Sequence, residues 1–217
     1  MNYLYLILGL IPSFAWLIFY LKEDPHPEPK KVIFFAFLAG ALSTFVALGL
    51  QLLFNDLISK QNIARYGTIS FLGLAVIEEF LKFGAAFIVI KKFWKEFDEP
   101  IDAMIYMVVA ALGFATIENV AAAAKLGASV FETTTLRFIG ATLLHTLSSG
   151  LLGYYWARSI LDKKRVLLAY GLIFASILHA IFNLLILKFE PLFIPTAFLI
   201  FYAFFILYDF EKLKQLS

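Results

Sequence analysis

The sequence has 217 residues, of which 62% are hydrophobic, and its mean hydropathy is +0.86. Because soluble domains are only roughly 45 to 50% apolar, this composition predicts an integral membrane protein. The net charge of +2 gives no indication of nucleic-acid binding, because the basic residues form short clusters between apolar segments, which membrane orientation explains better. The chain has no cysteine, which excludes disulfides, thiolate metal sites and a cysteine nucleophile.

Seven apolar segments follow one another along the chain, each about as long as a helix needs to be to cross a hydrocarbon core of ~30 Å. Their predicted bounds are residues 3–21, 32–54, 67–90, 101–124, 134–161, 166–189 and 192–210. Because these segments occupy nearly the whole chain, we predict an all-α, polytopic membrane protein with a single domain over residues 1–217. The first segment lacks a charged leader and a small-residue cleavage site, which favours a helix over a signal peptide.

The basic residues predict how the chain is oriented in the membrane. Twelve of the eighteen Lys and Arg residues lie on one side of the seven segments, five lie on the other, and Lys82 lies within a segment. The positive-inside rule therefore predicts an amino terminus outside and a carboxyl terminus in the cytoplasm. The first connection, residues 22–31, contains three prolines and is predicted to be extended, with His26 in solvent.

The third segment carries three charges near its middle, Glu78, Glu79 and Lys82. A charged side chain at the bilayer centre costs roughly 2.5 to 3.5 kcal/mol on insertion scales, so three within five positions indicate a compensating partner or a function. On a helix, Lys82 projects between the two carboxylates, so one ammonium can serve both. The segment therefore predicts a polar centre inside a helix bundle.

Polar side chains of later segments are expected to reach the same region. A rise of ~1.5 Å per residue places Glu78, His145 and His179 about 15 to 17 Å from the outer ends of their segments, near the midplane. Glu118 and Asn183 lie higher, roughly 9 Å below the outer surface. Small residues flank these groups, which suits either tight interhelical hydrogen bonding or a small wet cavity. We predict a polar column that runs from mid-membrane toward the outside.

Four short motifs carry a family resemblance. Residues 78–82 read EExxK, residues 114–119 read FATxEN, residues 179–183 read HxxxN, and an isolated His145 lies between the last two. In that order on four successive segments, they resemble the PrsW family of bacterial intramembrane proteases, within the superfamily of CAAX prenyl endopeptidases and bacteriocin-processing enzymes. The resemblance covers the apolar frame of the whole chain and implies a multi-pass protein of the bacterial cytoplasmic membrane.

The resemblance implies a glutamic-type intramembrane peptidase that needs no metal and no cofactor. Glu78 and His179 match the residues held to activate a water, and Asn183 matches the asparagine assigned to oxyanion stabilisation. The other implied catalytic residues are Glu79, Glu118 and His145, with Lys82 and Asn119 in tuning roles. The implied partners are the lipid bilayer and a single-pass membrane substrate, by resemblance an anti-sigma factor cut near the extracytoplasmic face. The oligomeric state stays open.

Several alternatives remain at this stage. A CAAX-type prenyl-protein peptidase is a second candidate. It ranks behind the PrsW assignment because the CAAX branch has EExxxR and FxxxH, and this chain has neither motif. The base is either Glu78 or Glu79, and Glu118 is alternatively a structural partner of Lys82 or Arg137.

Other chemistries find less support. No HExxH zinc motif or GxSxG serine motif is present, although a metal held by His145, His179 and a glutamate is geometrically open. The rival from another class is a transporter or proton-relay protein with a structural ion-pair core. It is disfavoured because the sequence has no internal repeat and no charged column toward the cytoplasm.

Overall fold

The computed structural model describes residues 3–126, 130–189 and 193–216. Within these ranges every regular element of secondary structure is a helix. A single 3-10 turn, Trp94–Glu96, precedes the fourth of eight α-helices. The helices are α1 Tyr3–Leu21, α2 Lys30–Lys60, α3 Thr68–Lys92, α4 Asp102–Leu126, α5 Val130–Ile139, α6 Ala141–Leu161, α7 Val166–Lys188 and α8 Phe193–Lys214. The all-α prediction is therefore confirmed.

The prediction of one continuous helix over residues 134–161 is wrong, because α5 ends at Ile139 and α6 begins at Ala141. Gly140 lies between them with φ −99° and ψ −95°, outside the helical region. A Cβ at Gly140 would lie only 2.8 Å from the carbonyl oxygen of Leu136. The backbone break therefore depends on the missing side chain, a local effect that the apolar pattern did not reveal.

Four described helices are long and apolar enough to cross a membrane, namely α2, α4 to Ala124, α7 and α8. A shorter apolar stretch, Ile7–Leu21, belongs to α1. The 25-residue helix α3 carries Glu78, Glu79 and Lys82 in its middle, which lowers its hydropathy. The structure thus supports a membrane protein with several apolar helices, while the number of crossings and their direction stay predictions.

Helix α4 occupies the centre of the fold, where it packs against α1, α2, α3 and α6. All residues from Ile101 to Ala115 are almost completely buried. Helix α3 also packs against α2 and α7, and α6 packs against α7. This arrangement brings the polar centres of α3, α4, α6 and α7 together.

Two glycines let α2 and α4 approach closely. A Cβ at Gly113 would lie 1.9 Å from the carbonyl oxygen of Phe37, and one at Gly40 would lie 1.9 Å from that of Ala110. Both clashes are with backbone, so a side chain at either position must push the two helices apart.

We expect Gly113→Ala to lower the free energy of unfolding by about 1 to 3 kcal/mol, the usual cost of overpacking. Reversible unfolding in detergent micelles measures this change. Gly84→Ala is the matched control, because a Cβ at Gly84 meets no atom within 4 Å and should leave stability unchanged or raise it by roughly 0.5 to 1 kcal/mol. Equal stability of the two variants would contradict a close α2–α4 contact.

Candidate active site

The three charges of α3 are buried and lie close together. Lys82 Nζ is 2.7 Å from Glu79 Oε1 and 3.8 Å from Glu78 Oε2, and neither Glu79 nor Lys82 has any exposed surface. The expectation that one ammonium faces both carboxylates is confirmed. The closer pair is Lys82 with Glu79, so the two glutamates have different surroundings.

Glu79 has a hydrogen-bond donor for each of its oxygens. Its Oε1 accepts hydrogen bonds from Lys82 Nζ at 2.7 Å, Ser148 Oγ at 2.9 Å and His179 Nδ1 at 2.8 Å. Its Oε2 accepts one from Ser149 Oγ at 2.9 Å. A buried carboxylate with this many donors has its desolvation largely offset. Glu79 therefore ties α3 to α6 and α7, and it has no oxygen left for a substrate.

His145 is engaged at both ring nitrogens. Its Nδ1 lies 2.7 Å from Lys82 Nζ and its Nε2 lies 2.9 Å from Glu118 Oε2. An ammonium only donates hydrogen bonds, so Nδ1 must accept and the ring proton must lie on Nε2. The Nε2–H group then donates to Glu118. The hydrogen-bond network thus assigns a neutral His145 that links the midplane charges to α4.

His179 has one nitrogen free. Its Nδ1–H donates to the Glu79 carboxylate, which leaves Nε2 as an acceptor with an available lone pair. That Nε2 lies 3.6 Å from Glu78 Oε2. The side chain is 3% exposed, so its orientation is set by packing and by Glu79.

Glu78 presents an oxygen without a hydrogen-bond partner. Its Oε1 accepts a hydrogen bond from Gln51 Nε2 at 2.8 Å, whereas its buried Oε2 has no donor. The nearest basic nitrogen atoms to Oε2 are His179 Nε2 at 3.6 Å, Lys82 Nζ at 3.8 Å and His145 Nδ1 at 4.0 Å. An unsatisfied buried carboxylate oxygen is costly, which indicates a place for a polar ligand such as water.

A second polar group lies beyond His145, where α4, α5 and α6 meet. Arg137 on α5 donates to Glu118 Oε2 at 3.2 Å and to Asn119 Oδ1 at 2.5 Å. Asn119 in turn donates to Thr142 Oγ1 at 3.0 Å. These contacts hold the short helix α5 against α4 and α6. Asn119 is therefore a structural residue at the edge of the site.

A cavity of about 550 Å³ leads to this polar group. Its walls include apolar side chains of α2 and α4, among them Phe45, Leu48 and Ile117, together with the polar Gln51, Glu118 and Arg137. Glu118 retains 30% exposure of its side chain. The cavity therefore connects the surface of the fold to Gln51 and Glu118, each one contact away from the buried centre.

Six predicted residues meet in one hydrogen-bonded or ion-paired group: Glu78, Glu79, Lys82, Glu118, His145 and His179. Asn183 lies one helical turn beyond His179 on α7 and is partly buried. Within the described part of the chain it makes no hydrogen bond through its side chain. The pairing of Glu118 with Arg137, one of the two structural alternatives, is also present.

Three residues of the site were not predicted as members of it: Gln51, Ser148 and Ser149. Gln51 is a strongly polar side chain within the apolar run of the second segment, and that position was the available signal. The two serines lie on the face of His145, yet no pattern in the sequence indicated that they would donate to Glu79.

A family model described as PrsW family intramembrane metalloprotease matches residues 28–208. The chain belongs to the PrsW family. It is 31% identical over 185 residues to Protease PrsW of Geobacillus kaustophilus, covering 84% of this chain and 79% of the relative. It is 30% identical to the Bacillus subtilis protein of that name, with 82% and 80% covered. No solved structure matches at a significant level. PrsW membership supports an intramembrane protease.

The PrsW family description names a metal, and the residue types at the site resemble a metal centre. Glu78, His145 and His179 offer atoms within 4.8 Å of one another, and a carboxylate with two imidazoles is a ligand set of catalytic zinc. However, Lys82 and Glu118 engage both nitrogens of His145. Only Glu78 and His179 then have free ligand atoms, whereas catalytic zinc takes three protein ligands. As they are arranged, Glu78, His145 and His179 therefore do not offer the three free ligands of a catalytic zinc.

Proposed function

We propose that this PrsW-family chain is a glutamic-type endopeptidase that hydrolyses a peptide bond of a single-pass membrane protein without a metal. One observation carries the proposal: the unpartnered Glu78 Oε2 lies 3.6 Å from His179 Nε2, the ring nitrogen that does not bond to Glu79, in a buried site. Two acceptors at this separation can both accept hydrogen bonds from one water that lies beside the pair. By family resemblance, the substrate is an anti-sigma factor cut near the extracytoplasmic face.

The proposed reaction uses Glu78 as the general base. The water donates one hydrogen bond to Glu78 Oε2 and one to His179 Nε2, which orients its lone pair toward the substrate carbonyl carbon. As the water oxygen attacks, its proton passes to Glu78, and the same proton later passes to the leaving amine. Glu79 cannot take this role because its oxygens already accept four hydrogen bonds.

Asn183 is the proposed donor to the oxyanion. It lies one turn from His179 on the same helix face, and its amide is available within the described structure. An amide N–H stabilises a developing oxyanion without losing a proton. Lys82, 3.8 Å from Glu78 Oε2, supplies positive charge on the other side of the proposed water site.

We propose that the substrate enters through the cavity between α2 and α4. The apolar walls suit a membrane-embedded peptide, and Gln51 at the inner end contacts Glu78 directly. The basic residues support an orientation in which this end of the bundle faces outside. Helix α5 has ten residues and is about 15 Å long, which is too short to span the membrane. We therefore propose that the other seven helices each cross the bacterial cytoplasmic membrane once.

One observation would suit the rival function, a proton relay. Hydrogen bonds run without interruption from Glu118 through His145, Lys82 and Glu79 to His179. Such a chain can carry protons, but the next turns of α3 toward its carboxyl end bury only apolar residues, Ala85, Ala86 and Val89. A continuous polar path across the bundle therefore lacks support.

The test uses the purified full chain in proteoliposomes with a tagged single-pass reporter protein. We expect a time-dependent reporter fragment whose new terminus, read by mass spectrometry, lies near one membrane face. Absence of any fragment from a panel of single-pass substrates, together with a proton flux in the same vesicles, would overturn the proposal and favour the relay.

Metal independence has its own test in the same vesicles. We expect cleavage to continue at the same rate after treatment with a zinc-selective chelator in excess Mg²⁺. If the family description holds for this chain, removal of the metal should lower the rate by about a hundredfold or more, because a catalytic metal contributes several kcal/mol. Loss of activity that added Zn²⁺ restores would contradict the metal-free mechanism.

A further inference from the structure

A second group of carboxylates lies at the opposite end of α4 from the active site. The acidic cluster comprises residues of the α1–α2 connection and of the segment that leads into α4: Asp24, Glu28, Asp98, Glu99 and Asp102. Asp102 begins α4 and lies sixteen residues before Glu118, which is about 24 Å along the helix. The proposed peptidase chemistry does not use these residues.

Three members of the acidic cluster converge on one point. Glu28, Asp98 and Asp102 each offer a carboxylate oxygen, and the three oxygens lie within 4.8 Å of one another. Asp102 Oδ2 accepts the backbone N–H groups of Asp98 and Glu99, at 3.0 and 2.8 Å, which fixes the turn before α4. Tyr106 donates its hydroxyl to Glu28 Oε2 at 2.5 Å. The Glu28 and Asp102 carboxylates are therefore held in place by the fold.

The acidic cluster contains buried oxygens that have no hydrogen-bond partner. These atoms are Asp24 Oδ2, Glu99 Oε2 and Asp102 Oδ1. Asp24 is 6% exposed and Asp102 is 1% exposed, so water reaches neither freely. Unpaired buried carboxylate oxygens of this kind are expensive unless a cation or a donor meets them.

The protein supplies little positive charge to the acidic cluster. Among the described residues, no Lys or Arg forms an ion pair with Asp24, Glu28, Asp98 or Asp102, and the nearest cationic candidate is the exposed His26 at 2.6 Å from Glu99 Oε1. The cluster thus has more negative charge than its surroundings offset.

We infer that the acidic cluster binds a hard divalent cation, Ca²⁺ or Mg²⁺, through carboxylate oxygens of Glu28, Asp98 and Asp102. Oxygen-only, multiply charged sites select these cations, whereas zinc and copper prefer nitrogen or sulfur ligands. Asp102, one of these ligands, has a buried oxygen without a hydrogen-bond partner, and Asp24 and Glu99 add further carboxylates to the cluster. A bound cation joins the α1–α2 connection to the start of α4 and stabilises both.

Thermal unfolding of the purified full chain in detergent tests this inference. After chelation and dialysis, we expect the Tm of the wild-type protein to rise saturably with added Ca²⁺ or Mg²⁺, because a ligand of the native state stabilises it. Asp98→Asn should lose the rise or require roughly tenfold more cation, since it removes one charged ligand. Asp98 is exposed, so this variant should fold. Asp56→Asn, an exposed change on α2, is the control and should respond like wild type.

Terbium luminescence provides a readout that is independent of stability. The phenol of Tyr106 contacts the proposed ligand Glu28, so a bound Tb³⁺ should emit on tyrosine excitation, and excess Ca²⁺ should displace it. Glu28→Gln should reduce this signal, whereas His179→Ala should retain it because His179 lies in the other site. The inference is overturned if wild type shows no saturable response to Ca²⁺, Mg²⁺ or Tb³⁺, or if Asp98→Asn and Glu28→Gln respond like wild type.

Discussion

Glu78→Gln is expected to lower the rate of reporter cleavage by about 10² to 10⁴, the usual contribution of a general base. Glutamine has nearly the same shape and can still accept the hydrogen bond from Gln51 at one end of the side chain. An amide cannot take a proton from water, so the substitution removes the proposed chemistry and retains most of the packing. Initial cleavage rates in proteoliposomes measure the effect.

Glu79→Gln separates the proposed base from its neighbour. That change weakens bonds to Lys82, His179 and the two serines, so both cleavage and the free energy of unfolding should fall. Glu78→Gln should instead lose cleavage while its unfolding midpoint stays close to that of wild type. Asp56→Asn, in an exposed ion pair, should retain both properties. A Glu78→Gln protein that cleaves as fast as Asp56→Asn would remove Glu78 from the mechanism.

The convergence of the site was predictable because charged residues within apolar helices have few places to go. Glu78 and His179 share one depth by simple helix geometry, and burial in the bundle interior is the only inexpensive position for them. The depth predicted for His145 assumed a continuous helix that is interrupted at Gly140, although His145 does join the buried group. The same reasoning placed Asn183 at a depth similar to that of Glu118, and in the described chain Asn183 makes no side-chain hydrogen bond to the buried group. Depth restricts where residues can meet, and the direction of each side chain then decides which of them do.

The division of labour between the two glutamates was not predictable from the sequence. EExxK places both carboxylates near Lys82, and only the three-dimensional packing brings Ser148, Ser149 and His179 to one of them. The break at Gly140 has a different, local cause, and an apolar run has the same pattern whether a helix continues or ends. The surroundings of the two glutamates depend on contacts between distant segments, which periodicity and composition do not encode.

Lys82→Met is expected to lower the free energy of unfolding by about 3 to 5 kcal/mol, because it leaves the buried Glu79 carboxylate without its positive partner. Lys60→Met is the matched control: Lys60 pairs with Asp56 on an exposed surface, where an ion pair is worth about 1 kcal/mol or less. Reversible unfolding in detergent micelles measures both. The double variant Lys82→Met with Glu79→Gln should recover part of the loss, because the two changes act on one interaction. If Lys82→Met is no more destabilising than Lys60→Met, Lys82 and Glu79 do not form the buried pair on which His145 and His179 are oriented.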